Sequence, residues 1–225
     1  MFTLLQCILF SCIAQAYAAR LKCADFPVAF DYDGSEEIKC VYETATTAIT
    51  FLKTLGLETT GVITVRLVEH LPPHQMHNLV GFYNPLSREA DLLTYSKAVE
   101  LSQENTSMPV IGISEEIWCS YAAHELAHGI SNQHINPTTQ NHLAAEYIAA
   151  VTQLAVLTPE ARGKALKTFQ NVEAYKSRDE MSVYYYLLAP SEFAVKCYLH
   201  FVSLDNPKEF IERLVNEESG GMDEY

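Results

Sequence analysis

"YAAHELAHGI", residues 121–130, sets His124 and His128 four apart, with Glu125 directly after the first histidine. An α-helix turns about 100° per residue, so side chains four apart are offset by about 40° and one turn, and both imidazoles can reach one ion. Glu125 is rotated about 100° from His124. It stands beside such an ion rather than on it, where it can serve a water in an open coordination position. The surroundings read as helix: Ser114 suits the cap, Glu115 and Glu116 put negative charge in the first turn, and the helix stops in "SNQHINP", 131–137. The competing reading is an ordinary helix that carries two histidines and no metal.

Catalytic zinc usually takes three protein ligands and keeps a fourth position for water. Cys119 lies nine residues before His128, about 900° of rotation, and so points to the other side of the helix. It suits a disulfide or the core. Glu146, eighteen residues after His128, sits in "HLAAEYIAAVTQLA" (142–155) among Leu143, Ala144, Ala145, Ile148, Ala149 and Val151. A carboxylate on so apolar a helix needs a partner, and a metal is one; exposure or a salt bridge is the alternative. Asn136 and Pro137 give that helix a start signal, which predicts a span of about 138–157.

Toward the N-terminus, residues 35–55 predict an amphipathic helix, with Ile38, Val41, Ala45, Ile49 and Leu52 at helical spacing and Gly56 at its end. "GVITVRLVEHL" (61–71) alternates and is β-branched, which predicts a strand. In "VGFYNPLSREADLLTYS" (80–96) two extended runs flank Asn84-Pro85, which predicts a hairpin. "KAVELSQENTSM" (97–108) reads as polar and irregular, and "PVIGI" (109–113) as a short extended stretch. Beyond Pro159, helices are expected at about 160–177 and 190–204, and residues 216–225 form an acidic disordered tail. A small sheet beside a helical half is an α+β fold.

The 225 residues suit one domain over 19–215. Phe2 to Ala14 is apolar and too short to span a bilayer. Ala16-Tyr17-Ala18 has the form of a signal-peptidase site, so residues 1–18 read as a signal peptide, with a retained anchor as the alternative because no Lys or Arg precedes the apolar run. Secretion into an extracellular or periplasmic space is therefore expected. Without Cys7 and Cys12, four cysteines remain, and an oxidising compartment suggests two disulfides in one of three pairings. Cys23 with Cys40 and Cys119 with Cys197 is the expected pairing, and free buried thiols are the alternative. A net charge of -13 repels phosphate backbones and anionic lipid, which argues against nucleic acid or a membrane as partner. Asn105-Thr106-Ser107 matches a glycosylation sequon.

HExxH, a loop, and a second helix carrying Glu in "AAEYIAA" resembles the gluzincin group of zinc metallopeptidases, and specifically small secreted bacterial gluzincin-like proteins. The resemblance covers mainly residues 61–157. It implies a zincin-like domain in which an edge hairpin packs on the active-site helix. It also implies one Zn2+ per chain on His124, His128 and Glu146, with Glu125 as the general base for a zinc-bound water. The expected activity is hydrolysis of peptide bonds in a peptide or protein substrate. In related enzymes a Tyr or His from a C-terminal helix stabilises the oxyanion, which makes His200 a candidate catalytic residue, with Tyr184, Tyr185 and Tyr186 behind it; core packing is the alternative for all four. The hairpin would pair with substrate backbone, or is an ordinary capped hairpin. Many gluzincins place an acidic residue four after the ligand glutamate to orient a ligand histidine, and here that position is Ala150. Some other group must then do so, or the chain is a weak or inactive binding or inhibitory protein. Since ligation needs neutral imidazoles, activity is expected to fade below about pH 5 to 6.

Overall fold

The computed structural model describes residues 19–23, 26–33, 36–72, 79–104, 113–136 and 141–216. The signal segment, the sequon, His74, His77, Pro137, most of "PVIGI" and the tail beyond Asn216 lie outside the described residues.

The chain is α+β. Among the described residues five strands, β1 (Ala19–Lys22), β2 (Val28–Tyr32), β3 (Ile63–Val68), β4 (Gly81–Asn84) and β5 (Glu89–Leu93), form one sheet in the order β1-β2-β3-β5-β4. The two central pairs, β2 with β3 and β3 with β5, are parallel, whereas β1 with β2 and β4 with β5 are antiparallel. The hairpin expected around Asn84 is therefore β4–β5, and among the described residues β4 is a sheet edge. One face carries Phe30, Ile63, Val65, Ala90 and Leu92 into the core. The other carries a row of alternating charge through the register Arg20↔Asp31↔Arg66↔Asp91. Arg66 donates from Nε and Nη2 to the two oxygens of Asp91 at 2.6 and 2.9 Å, a bidentate pair that satisfies the buried carboxylate.

The helices are α1 (Ile38–Thr54), α2 (Tyr95–Glu104), α3 (Glu115–Ser131), α4 (His142–Ala155), α5 (Pro159–Thr168), α6 (Val183–Leu188), α7 (Pro190–Ser203) and α8 (Pro207–Asn216). α1 ends as its sequence asks: Gly56 takes φ +85°, its N–H bonds the Lys53 carbonyl, and the Leu57 N–H bonds the Leu52 carbonyl. Only a residue without a Cβ adopts that backbone cheaply. Ser114 caps α3, its hydroxyl accepting from the Ile117 N–H.

Three local expectations are corrected. Residues 95–104 are helix, not irregular chain, because Ala98 is wholly buried against the core cluster while the remaining side chains tolerate solvent. α4 starts later than the Asn136-Pro137 signal suggests: its cap is Asn141, whose side-chain oxygen accepts from the Ala144 N–H and whose amide donates to the Leu214 carbonyl. Two helices, α6 and α8, were not anticipated; α8 is amphipathic and buries Ile211, Leu214 and Val215.

The disulfide expectation is also corrected. Cys40 bonds Cys119, while Cys23 and Cys197 are free thiols. α1 packs directly along α3, bringing two cysteines 79 residues apart to a Cα separation of 6.1 Å. Cys197 is buried on α7, and the Cys23 sulfur lies 3.5 Å from the Tyr42 hydroxyl. Among the described residues, no helix is long and apolar enough to cross a membrane.

Candidate metal centre

α3 is buried on nearly every side, with α1, α4 and the β4–β5 hairpin packed around it. α4 crosses it closely and is itself buried along most of its length. Facing side chains of the two helices therefore meet in a largely buried space that keeps some access to solvent. His124 and His128 from α3 and Glu146 from α4 meet there, with one ligand atom from each lying within 4.8 Å of the others. The Nε2 atoms of the histidines are 3.2 Å apart, and Glu146 Oε2 is 3.7 Å from the first and 3.5 Å from the second.

Among the described residues, Glu146 Oε2 is buried without a hydrogen-bond donor. A carboxylate oxygen stripped of water and unbonded costs free energy unless a positive charge faces it. That orphaned atom, with two imidazole nitrogens turned toward it, matches the His₂Glu donor set used for hydrolytic zinc. The residues present fit such an ion.

The electrostatics show how the pocket balances its charge. Burial pushes the Glu146 carboxyl upward, but the His128 charge, His124 and the Tyr186 hydroxyl on α6 together hold it at about 2. Burial also disfavours a charged His128, yet the negative charge of Glu146 outweighs that and raises it to about 9. His124, buried and beside His128, drops to about 4. At neutral pH the metal-free pocket therefore carries its positive charge on His128, whose Nε2 lies 3.5 Å from Glu146 Oε2.

Glu125 takes a different position. It is buried, and the loss of water raises it to about 7, with His128 and the Tyr83 N–H of β4 acting in the opposite direction. Gly81 of β4 makes room for it: a Cβ there would lie 2.7 Å from Glu125 Cγ and 2.9 Å from Oε1. The Val80 carbonyl accepts from the Leu93 N–H, so the alternation of an antiparallel pair turns the N–H and C=O of Gly81 and Tyr83 away from β5. The edge of β4 that pairs with no other described strand therefore borders Glu125.

The structure brings together four of the five residues singled out from sequence. The fifth, His200, is buried in the core instead: its Nδ1 is 2.7 Å from the Tyr147 hydroxyl and its ring packs edge-on to Phe210. Among the described residues no hydrogen bond or ion pair joins His200 to His124, Glu125, His128 or Glu146. The aromatic hydroxyl that lies against the cluster is that of Tyr186. His142 is exposed at the start of α4. Two contributors escaped the sequence reading, Gly81 and Gln153. The Oε1 of Gln153 is 3.1 Å from His124 Nδ1. Its signal was available, since a residue seven after Glu146 returns to within about 20° of the same helical face.

Residues 31–220 match the profile of a family described as "Family of unknown function (DUF6639)", and the chain belongs to that family. No curated protein and no solved structure matches it.

Proposed function

We propose that this chain is a secreted zinc-dependent hydrolase that cleaves peptide bonds, with His124, His128 and Glu146 holding one zinc ion. The observation that carries the reading is the buried Glu146 Oε2, without a hydrogen bond among the described residues, facing two imidazole nitrogens within 4 Å, beside a second carboxylate that pairs with neither. Zinc held there would supply a Lewis acid toward a scissile carbonyl and toward water.

The chain's own groups account for the rest. Glu125, poised by burial at about 7, takes a proton from the attacking water and returns it to the leaving amine; a base with a pKa near the working pH does both well. An extended peptide finds hydrogen-bonding groups along the edge of β4 that pairs with no other described strand, at Gly81 and the Tyr83 carbonyl, and is thereby held alongside Glu125. The disulfide between Cys40 and Cys119 fits an oxidising compartment and ties the helix that carries both histidines to α1.

The test is digestion of a mixed peptide library by the zinc-loaded mature chain, with products read by mass spectrometry. Cleavage abolished by a chelator and restored by zinc supports the reading. Stoichiometric zinc with no cleavage of any peptide would leave a metal-binding module without hydrolytic function.

A further inference from the structure

We infer that Gln153 is the positioning residue that fixes the tautomer of His124 for metal ligation, doing with an uncharged amide what Ala150 cannot. The inference rests on the zinc reading for its consequence, but the hydrogen-bond logic stands on the cation-free protein alone.

The chain of bonds leaves one arrangement. Ser120, one turn before His124 on α3, donates its hydroxyl to the Ile117 carbonyl at 2.6 Å. With its single hydrogen committed, Ser120 Oγ can only accept. Gln153 Nε2 lies 3.4 Å from that oxygen and must be the donor, and the Tyr121 hydroxyl also faces the Gln153 amide. The amide is thereby oriented with its carbonyl oxygen toward His124, so the choice between its two flipped states is settled by chemistry rather than by shape. An amide oxygen only accepts, so His124 Nδ1 must carry the hydrogen. The other nitrogen, Nε2, is then left with a bare lone pair aimed at His128 and Glu146, which is the form a metal requires.

The placement is economical. Glu146 and Gln153 stand two turns apart on one face of α4, so a single helix presents both a ligand and the group that orients another ligand across on α3. Because Gln153 is neutral, it orients His124 without adding negative charge, whereas a carboxylate in its place would raise the basicity of the imidazole. A glutamate at this position is thus expected to grip metal more tightly than the natural residue.

The experiment uses the mature chain, its Gln153→Leu and Gln153→Glu variants, and zinc itself as the probe. Nitrogen NMR of the histidines in metal-free protein reads the tautomer, and competition with a chromophoric chelator reads zinc affinity. Far-ultraviolet circular dichroism and Trp118 fluorescence check the fold. In the natural chain His124 is expected to be Nδ1-protonated. In Gln153→Leu the tautomers mix and zinc affinity falls about 10- to 100-fold, while Gln153→Glu restores one tautomer and binds at least as tightly as the natural chain. A folded Gln153→Leu with the natural tautomer and affinity overturns the inference, as does a folded Gln153→Glu that rescues neither. A natural chain that takes up no zinc defeats the underlying site reading instead, and the tautomer measurement still decides the role of Gln153.

Discussion

The Nε2 atoms of His124 and His128 stand 3.2 Å apart on successive turns of α3, a separation at which they share one proton or, with Glu146, one metal ion. The two occupants compete. Below about pH 9 the metal-free His128 holds its proton, because the Glu146 charge more than offsets burial, and a metal must expel it. His124 is neutral above about pH 4 and Glu146 ionised above about pH 2, so neither releases a proton in the physiological range. Zinc binding at pH 7.5 is therefore expected to release about one proton from His128, and apparent affinity to rise about tenfold per pH unit up to about pH 9. Calorimetry in buffers of differing ionisation enthalpy measures the number directly. The sequence reading placed the loss of activity below about pH 5 to 6; the neighbouring carboxylate extends metal–proton competition well above that.

The same pKa shapes the stability of the chelated, metal-free protein. A histidine whose folded pKa lies above its unfolded one stabilises the fold fully below the unfolded value, and that stabilisation disappears as pH rises through the folded value. For His128 the window runs from about pH 6.5 to about pH 9. Chelated protein is expected to melt at lower temperature at pH 9 than at pH 7, and zinc to reverse the loss. Scanning calorimetry with and without zinc checks both arms.

Glu125→Gln keeps shape and hydrogen-bonding capacity but cannot take a proton. Hydrolysis is expected to fall by about 10²- to 10⁴-fold, the usual contribution of a general base. Zinc content should stay unchanged, because Glu125 binds no ion in this arrangement. Loss of zinc together with activity would assign Glu125 to the ligand set instead.

Gly81→Ala tests how closely β4 approaches Glu125. The added Cβ meets Glu125 Cγ at 2.7 Å, inside van der Waals contact, and Glu125 is boxed in on its own helix. Stability is expected to drop by about 1–3 kcal/mol, and hydrolysis to fall more than zinc affinity does. Denaturant melts and chelator competition on the same preparation separate the two effects.

Removing the disulfide with Cys40→Ala and Cys119→Ala together frees a closed loop of 79 residues' separation. The expected cost is about 2–4 kcal/mol, read from Trp118 fluorescence during denaturation. Trp118 suits the purpose, being wholly buried with its Nε1–H donated to the Leu93 carbonyl at 2.7 Å. Zinc content of the folded variant should be unaltered.

Much of this molecule was legible because its signals are local. The periodicity of Ile38 to Leu52, the alternation of 63–68, the Asn84 turn and the Ser114 cap each depend on residues within a few positions. The helical spacing of His124, Glu125 and His128 is equally local, and Glu146 stands out as a carboxylate on an otherwise apolar helix. What failed was tertiary. Which of four cysteines meet depends on α1 lying along α3, and whether His200 or Tyr186 reaches the cluster depends on how α6 and α7 fold back. α2 was misread because its sequence is polar enough for a loop, with its burial concentrated at Ala98.

The central claim is that three side chains from α3 and α4 converge on one divalent cation. Elemental analysis of the mature chain, purified without chelators beside Glu146→Ala and His128→Ala, tests it most directly. One zinc per natural chain and well under one in both folded variants is the predicted result. A natural chain free of zinc that takes up none from micromolar solution, or variants that keep a full equivalent, would contradict it.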